Sequence, residues 1–97
     1  MTAKALPAGY HTVTPYLTVH GTAELIEFLK LAFGAQEKER LLRPDGRVGH
    51  AELWIGDSLI MLGEPKGCEA MPGSFYLYLD DLDAVYQQAL AAGATSA

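Results

Sequence analysis

Residues 50–62 read HAELWIGDSLIML, two runs of alternating side chains separated by Gly56-Asp57. A Gly-Asp pair in this setting predicts a two-residue β-hairpin loop that pairs Ile55 with Ser58 and so fixes the register of both strands. Because strand side chains alternate between faces, the hairpin has one apolar face and one mixed face. The apolar face carries Ala51, Leu53, Ile55, Ile60 and Leu62, and the mixed face carries His50, Glu52, Trp54, Leu59 and Met61. We expect helices against the first face and a ligand against the second.

The elements around this hairpin follow from apolar spacing and turn residues. Apolar residues recur at helical spacing between Gly21-Thr22, which opens a helix, and Gly34, which can end it in a left-handed conformation. Residues 44–47, Pro-Asp-Gly-Arg, predict a turn. Residues 1–10 predict a loose arm. The predicted strands are 11–19, 35–43, 48–55, 58–63 and 74–80, and the second predicted helix is 81–92.

The chain contains an internal repeat. Tyr16-Leu17-Thr18-Val19 and Tyr76-Leu77-Tyr78-Leu79 are each followed by an amphipathic stretch and a Gly-Ala pair, at 34–35 and 93–94. Repeated units close their cores against their neighbours. The sequence therefore predicts one α+β domain over residues 1–97, with a complete βαβββ module at 10–63 and the βα start of a second module at 74–94. Its mixed sheet should carry two helices on one face, and a homodimer should cover the strand edges left unpaired.

Composition excludes several classes of partner and location. Lys and Arg number 7 against 12 Asp and Glu, and the net charge of −5 argues against nucleic acid. The single cysteine, Cys68, permits no internal disulfide, so a reducing cytoplasm is expected. The longest apolar stretch, 53–62, is too short to cross a membrane, and no signal peptide is recognisable. The motifs CxxC, HExxH, GxSxG, the phosphate loop and the dinucleotide fingerprint are absent from the sequence.

His50 and Glu52 are the weak catalytic candidates, because their spacing of two places both on the mixed face. They are interpreted either as a proton-transfer pair, or as two ligands of a metal, or as a polar pair bonded within the sheet. Tyr16, Trp54, Met61 and Phe75 are interpreted either as an apolar clamp for a planar ligand or as core.

Structural roles explain the remaining candidates. The second helix should be capped by the acidic residues before it and should pack against two tyrosines. Cys68 has no adjacent base. His11 and His20 are expected on the surface. The capping residues are Asp80, Asp81 and Asp83, and the packing residues are Tyr76 and Tyr78.

Residues 10–94 resemble the glyoxalase/bleomycin-resistance/extradiol-dioxygenase superfamily, also called vicinal oxygen chelate, and most of all its PhnB-like branch. The matching words are Thr14-Pro15-Tyr16-Leu17, Ala32-Phe33-Gly34-Ala35, Pro44-Asp45-Gly46-Arg47, His50-Ala51-Glu52-Leu53, Ile55-Gly56-Asp57-Ser58, and residues 78–85. The resemblance implies two modules whose strands curl around a ligand and, in the enzymes, around a divalent metal. The metal-ligand positions that it implies fall on Thr14, Met61 and Phe75, whose side chains coordinate such a metal poorly or not at all. We therefore expect no metal at that site, no cofactor, and none of the Lewis-acid chemistry that it would supply.

Three functions stay open at this point. The first is a metal-independent protein that binds a small apolar or aromatic molecule through residues Tyr16, His50, Glu52, Trp54, Met61 and Phe75. The second is a divalent-metal-dependent enzyme of the lyase or dioxygenase type, rebuilt from His50, Glu52 and groups of a second subunit. The third is a vestigial homologue that folds and dimerises without a ligand site.

Overall fold

The computed structural model describes residues 9–71 and 73–96, so most of the predicted arm at 1–10 lies outside the described residues. The elements are β1 (Tyr16–Thr18), α1 (Thr22–Phe33), β2 (Gln36–Leu42), β3 (Val48–Ile55), β4 (Ser58–Gly63) and α2 (Leu82–Ala91). The strands form one sheet in the order β1-β4-β3-β2. β1 runs parallel to β4, and the other neighbours are antiparallel. The predicted α+β class with a mixed sheet is confirmed.

The β3–β4 hairpin has the predicted register. Ile55 pairs with Ser58, and the ladder continues without interruption to Ala51 and Leu62. The apolar face is buried, since Ala51, Leu53 and Leu62 are each 0% exposed. Strict alternation thus leaves the mixed side chains of β3 on the opposite face of the sheet.

Helix α1 covers the apolar face of the sheet. Its buried residues Ile26 and Leu29 share one core cluster with the inward residues of β3 and β4. Gly34 ends the helix at φ 66°, and its N–H donates to Lys30. This left-handed conformation is cheap for glycine, which explains why the helix stops there and the chain turns into β2.

Helix α2 packs against α1. The Asp81 carboxylate accepts a hydrogen bond from the Ala84 N–H at 3.2 Å and so caps its first turn, as predicted. Gln88 Nε2 then donates to the carbonyl oxygens of Leu31 and Ala32, at 3.1 and 3.2 Å. Neither helix is long and apolar enough to cross a membrane, as far as the chain is described.

Two predicted strands differ from the structure. The first strand, expected over 11–19, is confined to Tyr16–Thr18, because Pro15 has no N–H with which to extend the ladder. Residues 74–80, expected to be a fifth strand, do not join the sheet. The segment before them makes a single bridge between Thr18 and Met71 and then leaves the edge of β1. A strand needs a partner edge, and these residues have none within the described chain.

The prediction that Tyr76 and Tyr78 pack against the second helix is wrong. Their side chains are 85% and 91% exposed, and the two rings contact each other with centroids 5.4 Å apart. Since residues 74–80 do not add to the sheet, strand alternation does not turn these tyrosines toward a helix.

Candidate functional site

The sheet face opposite α1 carries a group of interacting polar side chains, here called the polar cluster: Tyr10, Lys38, Glu39, His50 and Glu52. His50 and Glu52 come from β3, and their contact was expected from their spacing. His50 Nε2 lies 2.8 Å from Glu52 Oε2. The structure thus brings the two predicted candidates into direct hydrogen-bond contact.

Glu52 is the centre of the polar cluster. It is 5% exposed, yet its carboxylate is fully used, since Oε2 contacts His50 and Oε1 accepts from the hydroxyl of Tyr10. Lys38 Nζ lies 3.5 Å from the same Oε1 and donates to the Tyr10 oxygen at 3.1 Å. A buried carboxylate with this number of donors remains charged.

The pKa of Glu52 reflects this balance. Burial by itself raises the pKa of the Glu52 carboxyl, but hydrogen bonds from His50 and Tyr10 and the positive charge of Lys38 outweigh burial. The net effect is a pKa below the ordinary value. The hydrogen bond that Lys38 donates to Tyr10 raises the pKa of the Lys38 ammonium group.

The protonation of His50 follows from its partner. An ionised carboxylate can only accept, so His50 Nε2 carries the proton that it donates to Glu52. In the neutral imidazole, Nδ1 is then an acceptor, and the Tyr16 hydroxyl lies 3.4 Å from it. With 27% of its side chain exposed, His50 is within reach of solvent. The arrangement can hold an imidazole in one tautomer, which is what a proton-transfer pair requires.

A β-bulge at Lys38 places Glu39 on the same face. Glu37 pairs with Leu53 and Glu39 pairs with the adjacent Glu52, so Lys38 is an extra residue in β2. Without this bulge, alternation would turn Glu39 toward α1, as it turns Glu37 toward Lys30 at 2.8 Å. Instead Glu39 Oε2 lies 4.0 Å from His50 Nε2.

An apolar cavity lies at the hairpin end of the sheet. It has a volume of about 660 Å³ and lies between the end of α1, the 56–57 loop and residues 75–79. A smaller cavity of about 290 Å³ extends toward Leu17 and Leu25. Both cavities are lined by Phe33, Ile55, Ile60, Phe75 and Leu77. Gly73 and residues 75–79 therefore border an apolar space and do not complete the sheet.

The six predicted ligand-binding residues are divided between these two places. Tyr16 pairs with Met61, and Met61 pairs with Glu52, so both share the sheet face of the polar cluster. Trp54 shares that face too, but Gly9 lies against its ring. Phe75 lines the cavities instead, because residues 74–80 do not continue the sheet. The apolar clamp envisaged from the sequence is thus not assembled as one unit.

The remaining candidates are dispersed. His20 has 77% of its side chain exposed, with Nδ1 4.0 Å from Glu64 Oε1, and Cys68 is exposed. His11 is exposed and lines the larger cavity. None of them approaches the polar cluster in the described part of the chain.

The metal positions implied by the family resemblance do not fit a metal here. Thr14 and Phe75 line the larger cavity, and Met61 lies on the sheet face of the polar cluster. A hydroxyl, a benzyl group and a thioether do not form a ligand set for a hard or borderline divalent ion.

The sequence does not indicate three members of the polar cluster, Tyr10, Lys38 and Glu39. Tyr10 lies at the end of the predicted arm, and Lys38 and Glu39 belong to a strand whose bulge has no sequence signal such as glycine. A polar strand opposite His50 and Glu52 was the one available hint, since cross-strand neighbours share a face.

A comparison with solved structures supports the fold. No protein-family model matches the chain. Among solved structures, TioX from Micromonospora sp. ML1 superimposes with a TM-score of 0.58 at 24% sequence identity, over 87% of this chain and 71% of TioX. The chain therefore has the same small α+β fold as TioX.

Curated relatives occur in mycobacteria. An uncharacterized protein of Mycobacterium bovis is 35% identical in a match that covers 86% of this chain and 62% of the relative. Two uncharacterized proteins of Mycobacterium tuberculosis strains match with the same identity and are covered over 56% of their length. The chain thus spans less than two thirds of these relatives.

Proposed function

We propose that this chain is a glyoxalase/bleomycin-resistance-like protein that binds a small apolar or aromatic molecule without a metal at the usual family position. The sequence words at 14–17, 50–53 and 55–58 support the family, and the fold likeness to TioX is consistent with it. The observation that carries the proposal is the larger apolar cavity. Its volume of about 660 Å³ falls within the range of small-molecule sites, about 300–1,000 Å³.

The lining of this cavity indicates the chemistry of its ligand. Phe33 and Phe75 offer aromatic faces, while Ile55, Ile60 and Leu77 supply aliphatic contacts. Aromatic rings favour planar partners in offset or edge-on contact. Polar groups at the 56–58 turn can fix the orientation of one polar substituent of the ligand. We therefore place the ligand in the cavity, where Phe75 is the member of the predicted ligand-binding set that contacts it.

A thermal-shift screen against planar aromatic compounds and aromatic antibiotics tests this proposal. A ligand at a hundred times its Kd stabilises the native state by about 2.7 kcal/mol, which for a domain of this size raises Tm by roughly 10–20 °C. Leu77→Glu places a charge in the cavity and should abolish the shift. Leu42→Glu is the matched control, because Leu42 is 62% exposed on β2 and does not line the cavity.

Two results would contradict the proposal. One is a screen without any stabilising compound for a protein that unfolds cooperatively. The other is a shift that survives Leu77→Glu, which would place the ligand elsewhere.

We further propose that the chain works as a cytoplasmic homodimer. Large apolar side chains are exposed on and beside residues 74–80, including Phe75 at 48%, Tyr76 at 85% and Tyr86 at 45%. A second copy would remove this surface from water. Sedimentation velocity should show a dimer that Tyr76→Ser weakens, and a monomer at every concentration would contradict the dimer.

A further inference from the structure

We propose that Glu39, His50 and Glu52 form a binding site for a divalent first-row transition metal ion, for which Zn²⁺ is the natural probe. This site is distinct from the positions implied by the family resemblance, which fall on Thr14, Met61 and Phe75. It also shares no residue with the apolar cavity, so it stands independently of the proposed function. In contrast to the rebuilt site envisaged from the sequence, the third ligand comes from the same chain.

The geometry of the three side chains suits one small ion. One ligand atom from each residue lies within 4.8 Å of the other two, and within the described residues this is the group of three that does so. Bonds of about 2.0–2.2 Å in tetrahedral or octahedral geometry require neighbouring ligand atoms about 2.8–3.6 Å apart. The Glu52–His50 separation is 2.8 Å and the Glu39–His50 separation is 4.0 Å. Glu39, with 43% of its side chain exposed, has the freedom to close the remaining gap.

The two carboxylate oxygens of Glu52 have different neighbours. Oε1 is held by Tyr10 and Lys38, whereas Oε2 points toward His50. Metal-ligating carboxylates are commonly oriented in this way by hydrogen bonds to their outer oxygen. Because the polar cluster contains two carboxylates and one ammonium, it carries one net negative charge when His50 is neutral. A divalent ion is therefore attracted to it.

The β-bulge provides a second, independent indication. It places Glu39 directly opposite Glu52 in the β2–β3 ladder. Like charges in directly opposed positions destabilise a sheet. Regular alternation would have avoided this pair by turning Glu39 toward α1. Bulges are frequent next to functional sites, where they change the direction of a side chain. A cation bound between Glu39 and Glu52 would remove the repulsion between their carboxylates.

The donor set points to the class of metal. One imidazole nitrogen favours Zn²⁺, Fe²⁺, Ni²⁺ or Cu²⁺ over Mg²⁺ and Ca²⁺, which prefer oxygen donors alone. Three protein ligands leave at least one position for water or another molecule, as in catalytic rather than structural zinc sites. On binding, His50 Nε2 gives up the hydrogen bond to Glu52, and the single ring proton moves to Nδ1, which lies 3.4 Å from the Tyr16 hydroxyl oxygen.

Calorimetric titration of tag-free, chelator-treated protein with ZnCl₂ tests this site, and Co²⁺ absorption in the visible region reports its coordination. We expect one Zn²⁺ per chain. His50→Gln and Glu39→Gln should each weaken binding at least tenfold. His20→Gln is the matched control, because His20 lies 4.0 Å from Glu64 without a third ligand group within the described residues and should not change the affinity.

The outcomes separate this site from the ligand cavity. Leu77→Glu should bind Zn²⁺ like the unmodified protein, so failure of the ligand screen does not affect the metal result. If His50→Gln does not fold, the exposed Glu39→Gln variant decides. The inference is overturned if Zn²⁺ does not bind, if Glu39→Gln binds as tightly as the unmodified chain, or if His20→Gln loses binding to the same extent.

Discussion

Replacing Glu52 by glutamine tests how much the polar cluster contributes to folding. The carboxylate is hydrogen-bonded to Tyr10 and His50, and it forms an ion pair with Lys38 at 3.5 Å. A glutamine side chain keeps one acceptor oxygen but presents an amide donor where the second oxygen was. Hydrogen bonds to charged groups contribute about 1.5–3 kcal/mol each.

The expected loss is smaller than that of a fully buried network. His50 and Lys38 have 27% and 35% of their side chains exposed, so water partly replaces the lost carboxylate. We therefore expect Glu52→Gln to lower the free energy of unfolding by about 1–3 kcal/mol at pH 7. For a domain of this size, that corresponds to a fall in Tm of roughly 5–20 °C.

The stability that Glu52 contributes depends on pH. Since the folded state holds the pKa of Glu52 below its ordinary value of 4.5, the carboxylate stabilises the protein fully at pH values above 4.5. This contribution disappears as the pH falls through the lowered pKa. The difference in Tm between Glu52→Gln and the unmodified protein should thus be full at pH 7 and shrink at pH 3.

Thermal unfolding followed by circular dichroism, with chelator present, measures both effects. Glu39→Gln is the control, because it removes a charge that faces Glu52 and should leave stability unchanged or slightly raised. Equal stability of Glu52→Gln and the unmodified protein at pH 7 would refute the reasoning. A large loss that does not vary between pH 7 and pH 3 would refute it as well.

Two further pairs of substitutions test packing in the helix and in the sheet. In urea unfolding, Ile26→Ala should lower the free energy of unfolding by about 2–5 kcal/mol, because Ile26 is 0% exposed. Leu31→Ala on the same helix is the control. Because Leu31 is 65% exposed, its replacement should change the free energy of unfolding by less than about 0.5 kcal/mol. Gly63→Ala should cost about 1–3 kcal/mol, because its Cβ would overlap the carbonyl oxygen of Gly49. Gly49→Ala should cost less in the same assay, because its Cβ meets the movable side chain of Arg43 at 3.1 Å.

The β3–β4 hairpin was predictable in full because its information is local. The Gly56-Asp57 loop fixes the register, and a shift by one residue would expose every apolar side chain of β3 and β4. The end of α1 at Gly34 was predictable for the same reason, since the cap depends on one residue.

The segment at 74–80 shows where local information fails. Tyr76-Leu77-Tyr78-Leu79 has the composition of a strand, but strand formation depends on a partner edge rather than on propensity. Sequence pattern gives the preference of the segment and says nothing of the partner. In the structure these residues instead border the apolar cavity.

Only His50 and Glu52 of the candidate site could be predicted from the sequence. The pair His50 and Glu52 follows from alternation in β3, whereas Glu39 reaches the same face through a bulge at Lys38. Such a bulge shifts the alternation of β2 without requiring glycine, so alternation continued from Glu37 would turn Glu39 toward α1. Tyr10 reaches Glu52 across 42 residues, a tertiary contact that no local pattern encodes.

The central claim is that a ligand binds in the apolar cavity without a metal. The most direct test is to measure the Kd of the strongest compound from the screen, once in excess chelator and once in excess Zn²⁺. The cavity and the polar cluster have no residue in common. We therefore predict the same Kd under both conditions. Loss of ligand binding in chelator, restored by Zn²⁺, would contradict the account.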